Sequence, residues 1–175
     1  MSGTHGLPSA ARTTRRLPAA PTCSNVIHDH RFRVRYAETD AMRVAHHAAY
    51  LVWLEAARVE ALRAIGFAFA DVEASGYGHA VRDLRIQYRR PARFDQELVM
   101  RIALVHAAGP RVTFAYRLYD AAEYDSRPDT AAPLTVAATQ MIWVTPDGRP
   151  TRLPPSHPLA PVLAAQTRHP DWAEW

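Results

Sequence analysis

Residues 36–63, YAETDAMRVAHHAAYLVWLEAARVEALR, decide the fold. Upstream of them, Phe32, Val34 and Tyr36 alternate with Arg31, Arg33 and Arg35, the period-two pattern of a half-buried strand. Ala37, Glu38, Thr39 and Asp40 then break the alternation. From about His47 to Ile65 the apolar residues Tyr50, Leu54, Ala57, Ala61 and Ile65 recur every three or four positions. That spacing predicts a helix roughly 27 Å long. Leu51, Trp53 and Leu62 widen its apolar stripe, so the expectation is a helix covered on most of its surface. Gly66 follows as its C-terminal cap. Asp40 therefore falls between a strand and a long helix, with His46 and His47 at the helix start.

Downstream, Phe67–Ser75 reads as a short second helix ended by Gly76 and Gly78. The next seventy residues or so read as β. Leu84, Ile86 and Tyr88 alternate with polar neighbours, and Leu98–Val105 is apolar on both faces, as a central strand would be. Val112, Phe114, Tyr116 and Leu118 alternate again, and Leu134–Thr145 forms a last strand. Residues 121–133 are polar with two prolines and read as a long hairpin loop. Beyond Leu153 the chain is Pro-rich, with at most a helical turn near Val162. The order is one strand, one long helix, then four strands. A helix apolar on most sides needs a sheet curved round it, and open sheet edges invite a neighbouring chain, so an α+β domain working as a homo-oligomer is expected.

Composition narrows the function classes. The net charge of +4 invites a nucleic-acid reading, but residues 1–28 carry Arg12, Arg15 and Arg16 and no acid. Without them, 18 arginines face 17 acids, and every basic residue is Arg with no Lys. That is a near-neutral body, so no nucleic-acid partner is expected. No apolar run is long enough to span a bilayer. Cys23 is the only cysteine, so neither an internal disulfide nor a thiolate zinc site can form, and a reducing cytoplasm is the expected setting. Residues 1–28 are expected to be a disordered basic tail or a transit peptide, residues 29–155 the domain, and residues 156–175 a Pro-rich tail.

Two roles suit Asp40. A carboxylate before a helix can cap its first amides. It can also act on a substrate carbonyl as nucleophile or general base, with the first helical N–H groups near His47 holding the oxyanion. His46 and His47 are adjacent, and consecutive helical residues point about 100° apart, which argues against both binding one metal ion. His28–Asp29–His30 reads as a solvated junction, Glu55 and Arg58 as a same-face ion pair, and Tyr88 and Trp143 as core.

The run Tyr36-x-Glu38-Thr39-Asp40-x-Met42-x-Val44-x-x-His47-x-x-Tyr50, with Glu55-Ala56-x-Arg58 behind it, resembles the hotdog-fold acyl-CoA thioesterases of the 4-hydroxybenzoyl-CoA thioesterase-like family. Tyr88-Arg89-Arg90-Pro91-Ala92 resembles the strand that follows in that family, and the likeness covers about residues 30–155. The resemblance implies a hotdog fold, with a curved five-stranded antiparallel sheet wrapped round one long central helix. It implies hydrolysis of a fatty or aryl acyl-CoA, with Asp40 and His47 at the catalytic positions and no metal or other cofactor. Arg43, His46, Tyr50, Arg89, Arg90 and Arg93 are then the candidate substrate-binding residues. The implied assembly is a homodimer or homotetramer. A thioesterase for carrier-protein-bound acyl groups and a non-catalytic acyl-CoA-binding domain are the alternatives. The chain departs from the family at Arg43, where Gly is frequent, at His46, where a small residue or Tyr is frequent, and at Ala49, where Asn is frequent.

Overall fold

The computed structural model describes residues 27–165. Most of the basic N-terminal segment, Cys23 included, and the chain after Ala165 lie outside the described residues. Five strands form one antiparallel sheet: β1 (Ile27–Arg33), β2 (Gly78–Tyr88), β3 (Glu97–Ala108), β4 (Arg111–Asp120) and β5 (Thr135–Val144), in the order β1-β3-β4-β5-β2. The strands consecutive in sequence at one edge and the other, β1 and β2, are therefore the two rims. The chain between them has to cross the sheet, and it does so as α1 (Ala49–Ala64) and α2 (Phe69–Ala74).

The strand that the sequence marks as apolar on both faces is β3, an interior strand between β1 and β4. Leu98, Met100, Ile102 and Leu104 of β3 share a core with Tyr50, Trp53, Leu54, Ala57, Ala61 and Leu62 of α1. Val99, on the opposite face of β3, packs with Tyr119, Ala121 and Tyr124. Gly66 ends α1 at φ 90°, a conformation that only glycine adopts without strain.

Several expectations need correction. The described residues hold four α-helices, where one long helix and a short second one were expected; α1, at 16 residues, is by far the longest, and α2 lies within the stretch read as the second. The segment read as a loop contains α3 (Ala121–Ser126), whose first turn is capped by the Asp120 side chain accepting from the Glu123 N–H at 2.9 Å. Asp120-Ala-Ala-Glu123 is the spacing of a capping sequence, a signal that the two nearby prolines obscure. The Pro-rich stretch forms α4 (Leu159–Ala164), which buries Leu159 and Val162 in the main core. The first strand starts at Ile27, so His28–Asp29–His30 belongs to the sheet, and Asp29 accepts from the Tyr124 hydroxyl at 2.9 Å. The strand pattern stops paying off after Val34: Tyr36 is 76% exposed, edge-on to Phe94. Leu51 and Val52 leave an exposed apolar strip on α1. Glu55 is exposed while Arg58 is buried, so the expected ion pair does not form; one Arg58 nitrogen lies 3.5 Å from the Tyr116 hydroxyl.

Candidate active site

After Val34 the chain leaves the sheet and makes a 3₁₀ turn over Tyr36–Glu38. Glu38 folds back on its own loop. Its carboxylate accepts from the Arg35 N–H at 2.8 Å, from the Arg35 guanidinium at 2.6 Å and from the indole N–H of Trp53 at 2.9 Å. Burial pushes the Glu38 pKa up, but these donors outweigh it and hold the carboxyl below its ordinary value. Because Trp53 lies in the core of α1, the contact ties the loop to the helix.

The next residues close a small loop around Asp40. The Asp40 N–H donates to the Val44 carbonyl (3.0 Å), the Arg43 N–H to the Asp40 carbonyl (2.9 Å), and the Ala45 N–H to the Ala92 carbonyl (2.8 Å). This geometry puts Arg43 at φ 60°, in the left-handed region that costs a non-glycine residue about 1–2 kcal/mol. A glycine preference at that position has this physical origin. Asp40 does not cap α1. Its Oδ1 accepts from the Met42 N–H at 2.8 Å, within its own loop, and its other carboxylate oxygen has no protein partner among the described residues.

The entrance to α1 uses its polar groups unevenly. The Ala49 N–H donates to the His46 carbonyl (2.9 Å), and the Ala48 N–H to His46 Nδ1 (3.2 Å). The His47 carbonyl accepts from the Tyr88 hydroxyl at 3.1 Å. The His47 N–H donates to no group among the described residues.

Asp40 and His47 line one cleft of about 360 Å³, together with Val44, Ala45, Tyr50, Tyr88, Arg89, Arg90 and Pro91. Of the candidate residues, Asp40, His47, Tyr50, Arg89 and Arg90 thus share a cavity. Arg43, His46 and Arg93 do not line it; all three are exposed nearby in sequence, and His46 spends Nδ1 on the helix entrance. Tyr50 is a buried wall whose hydroxyl lies 3.4 Å from the Ala92 N–H. Arg90 is already engaged, donating to Glu123 at 2.9 Å and to the Ala132 carbonyl, so the segment 121–133 braces one side of the cleft. The Arg89 side chain makes only a 3.4 Å contact to Gln87 among the described residues, while its backbone N–H donates to the Leu134 carbonyl at 2.9 Å. Tyr88, expected in the core, is 47% exposed and stands edge-on to Tyr50. Trp143 is core as expected. Two organising residues, Glu38 and Tyr88, were not legible as such. Glu38 stands in the family-like run, but the sequence gives no sign that it reaches Trp53, fifteen residues on.

A single five-stranded antiparallel sheet is what the sequence resemblance implies, and the described residues form one. The family model for the Thioesterase-like superfamily matches residues 34–166, and the chain belongs to that superfamily. It is 35% identical over 89 residues to the putative acyl-CoA thioesterase YneP of Bacillus subtilis, a match covering 51% of this chain and 64% of that one. It is 34% identical over 89 residues to the acyl-CoA thioester hydrolase YbgC of Escherichia coli O157:H7, covering 51% and 66%. Each match thus spans just under two-thirds of the relative's length. Among solved structures, a hypothetical protein from Thermus thermophilus is 32% identical with a TM-score of 0.65, covering 78% of this chain and 95% of that one.

Proposed function

We propose that this chain is an acyl-CoA thioesterase, releasing a free acid and CoA, with α1 as the central helix of a hotdog domain. One observation carries the reading: among the described residues, a carboxylate oxygen of Asp40 and the N–H of His47 are both without protein partners, on residues lining one cleft. A thioester carbonyl needs those two things together, an oxygen base or nucleophile for its carbon and a donor for its oxygen. The N–H lies at the positive end of the α1 dipole, which favours a developing oxyanion.

In the general-base form, Asp40 takes a proton from water as the oxygen attacks the carbonyl carbon. The carbonyl oxygen gains negative charge against the His47 N–H. The tetrahedral intermediate then collapses, the C–S bond breaks, and the CoA thiolate leaves and takes a proton. In the nucleophilic form, the carboxylate itself attacks, the thiolate leaves, and water hydrolyses the mixed anhydride. Arg89 lines the same cleft with little to hold its side chain, and Arg43 and Arg93 are exposed within two residues of lining positions in sequence; guanidinium groups suit the phosphates of CoA. The fatty or aryl acyl group would lie against Tyr50 and Tyr88. The reading includes a homodimer or homotetramer, since β1 and β2 each leave one edge open and Leu51, Val52, Val81 and Phe94 are exposed. It includes a cytoplasmic setting; among the described residues no helix is long and apolar enough to cross a membrane.

Steady-state hydrolysis of short, long and aryl acyl-CoA by wild type and Asp40→Asn tests the proposal. The expected result is turnover on at least one class, reduced by about 10²–10⁴ in the variant. Equal rates in both proteins would remove Asp40 from the mechanism. Turnover confined to matched acyl-carrier-protein substrates would replace CoA as the carrier, and tight acyl-CoA binding with no product would make this a binding domain.

A further inference from the structure

We propose that Tyr88 is a positioning residue for the oxyanion donor, an inference that rests on the thioesterase reading above. The two peptide units that meet at His47 carry four polar groups. The carbonyl of the first belongs to His46 and accepts from the Ala49 N–H at 2.9 Å. A trans peptide is planar with its C=O and N–H opposed, so the N–H of His47 points the other way, out of the N-terminal end of α1. In the second unit, the Ala48 N–H is held by His46 Nδ1 at 3.2 Å, and the His47 carbonyl by the Tyr88 hydroxyl at 3.1 Å. Three of the four groups are pinned, and the one left over is the donor the reaction needs.

Tyr88 is the only one of these restraints that comes from outside the loop and helix. It lies at the end of β2, with its ring set edge-on to Tyr50 at 5.0 Å. The register Tyr88↔Thr135 anchors its backbone to β5. The sheet rim therefore fixes the helix entrance through one phenol. Without that hydroxyl, the second peptide is free to rotate, and its carbonyl can swing toward the cleft. A carbonyl oxygen there would repel the developing oxyanion that the His47 N–H attracts. Burial, with Tyr50 next in effect, raises the Tyr88 pKa, so the phenol stays protonated and able to donate. His46 pins the other end of the same peptide. Accepting at Nδ1 places its own ring proton, when neutral, on Nε2.

The test is kcat and KM on the best acyl-CoA substrate for Tyr88→Phe, His46→Ala and His46→Asn, with Asp40→Asn alongside, all below their melting transitions. Tyr88→Phe keeps the ring contact and removes only the hydroxyl. Removing an oxyanion donor outright costs about 10²–10³ in kcat, and loosening one should cost about tenfold, with KM nearly unchanged. His46→Ala should show the same pattern, and His46→Asn, which offers an acceptor oxygen at similar reach, should recover most of the loss. The His46 pair also carries the test if Tyr88→Phe does not fold. A rise in KM with kcat intact would make the Tyr88 hydroxyl a substrate contact rather than a restraint on the His47 carbonyl and overturn the inference, as would wild-type kcat in Tyr88→Phe or His46→Ala. Those results with an inactive Asp40→Asn sink this inference alone; wild-type kcat in Asp40→Asn removes Asp40 from the mechanism, and no thioester turnover by wild type sinks the thioesterase reading.

Discussion

Acid should unfold this protein through His79, and replacing that residue should remove much of the sensitivity. His79 lies on β2 with its ring stacked on Trp143 at 4.0 Å, 9° from parallel, and edge-on to Phe114. Both ring nitrogens are buried without a hydrogen-bond partner among the described residues. Burial is the main reason its pKa falls from 6.5 to about 3, and the positive charge of Arg58 adds to it. The neutral ring is thus kept in the folded state while the unfolded chain can protonate. Stability is unaffected above the unfolded pKa and falls as pH drops below about 6.5, levelling off near the folded pKa. Each pH unit in that window costs about 1.4 kcal/mol, so the loss is about 2 kcal/mol by pH 5 and about 4 kcal/mol by pH 3.

The measurement is urea unfolding at pH 7.5 and pH 5, at one protein concentration, for wild type and His79→Phe. Burial also lowers the pKa values of His30 and His157, so wild type loses further stability with the same sign in the same window. The carboxyls held down by ion pairs and hydrogen bonds, such as Asp120, lose their contribution only at lower pH, which is why pH 5 is the useful point. Comparing the two proteins isolates His79. The pH-dependent loss should be about 2 kcal/mol smaller in His79→Phe. At pH 7.5 the variant should match or slightly exceed wild type, because two unsatisfied polar atoms are exchanged for carbon with the Trp143 stack kept. The same pH-dependent loss in both proteins would refute the argument.

Arg43→Gly should stabilise the fold by about 1 kcal/mol, read as a melting temperature higher by about 2–4 °C, because φ 60° suits glycine; a lower melting temperature would show that the Arg43 side chain contributes more than its backbone strain costs. Glu38→Ala should cost about 2 kcal/mol in urea unfolding, since it leaves the Trp53 indole N–H without its acceptor and frees the loop from α1. A cost within error of zero would remove Glu38 as the organiser of the loop. Tyr124→Phe should cost about 1 kcal/mol by losing the hydrogen bonds to Asp29 and Arg101, with the melting temperature as the readout.

The sequence was most legible where one periodicity met one environment. The apolar face of α1 and the double-sided β3 could be read because their neighbours on the far side are simply more core. Legibility failed where a residue's partner is distant in sequence. Tyr36 continues the strand alternation, yet the chain turns there because Glu38 is recruited by Trp53, and the pattern holds no trace of that. The segment 121–133 looks like loop by composition, but Asp120 caps a helix and Tyr124 finds Asp29 and Arg101 on the outer face of the sheet.

The same distinction separates the parts of the candidate site. Asp40 and His47 are visible because a junction between strand and helix concentrates unusual residue types in a few positions. What makes the junction usable for chemistry comes from elsewhere: Glu38 reaches Trp53 within α1, Ala92 receives the Ala45 N–H from the loop between β2 and β3, and Tyr88 comes from the opposite rim of the sheet. A backbone amide without a protein partner costs little where water reaches it, and His47 is exposed; it keeps its orientation only where its peptide cannot turn. Here every adjacent polar group already has a partner, so the N–H of His47 stays available at little cost to the fold. The site's polarity is therefore held by the sheet as much as by the helix, and substitutions at the end of β2 should alter catalysis before they alter stability.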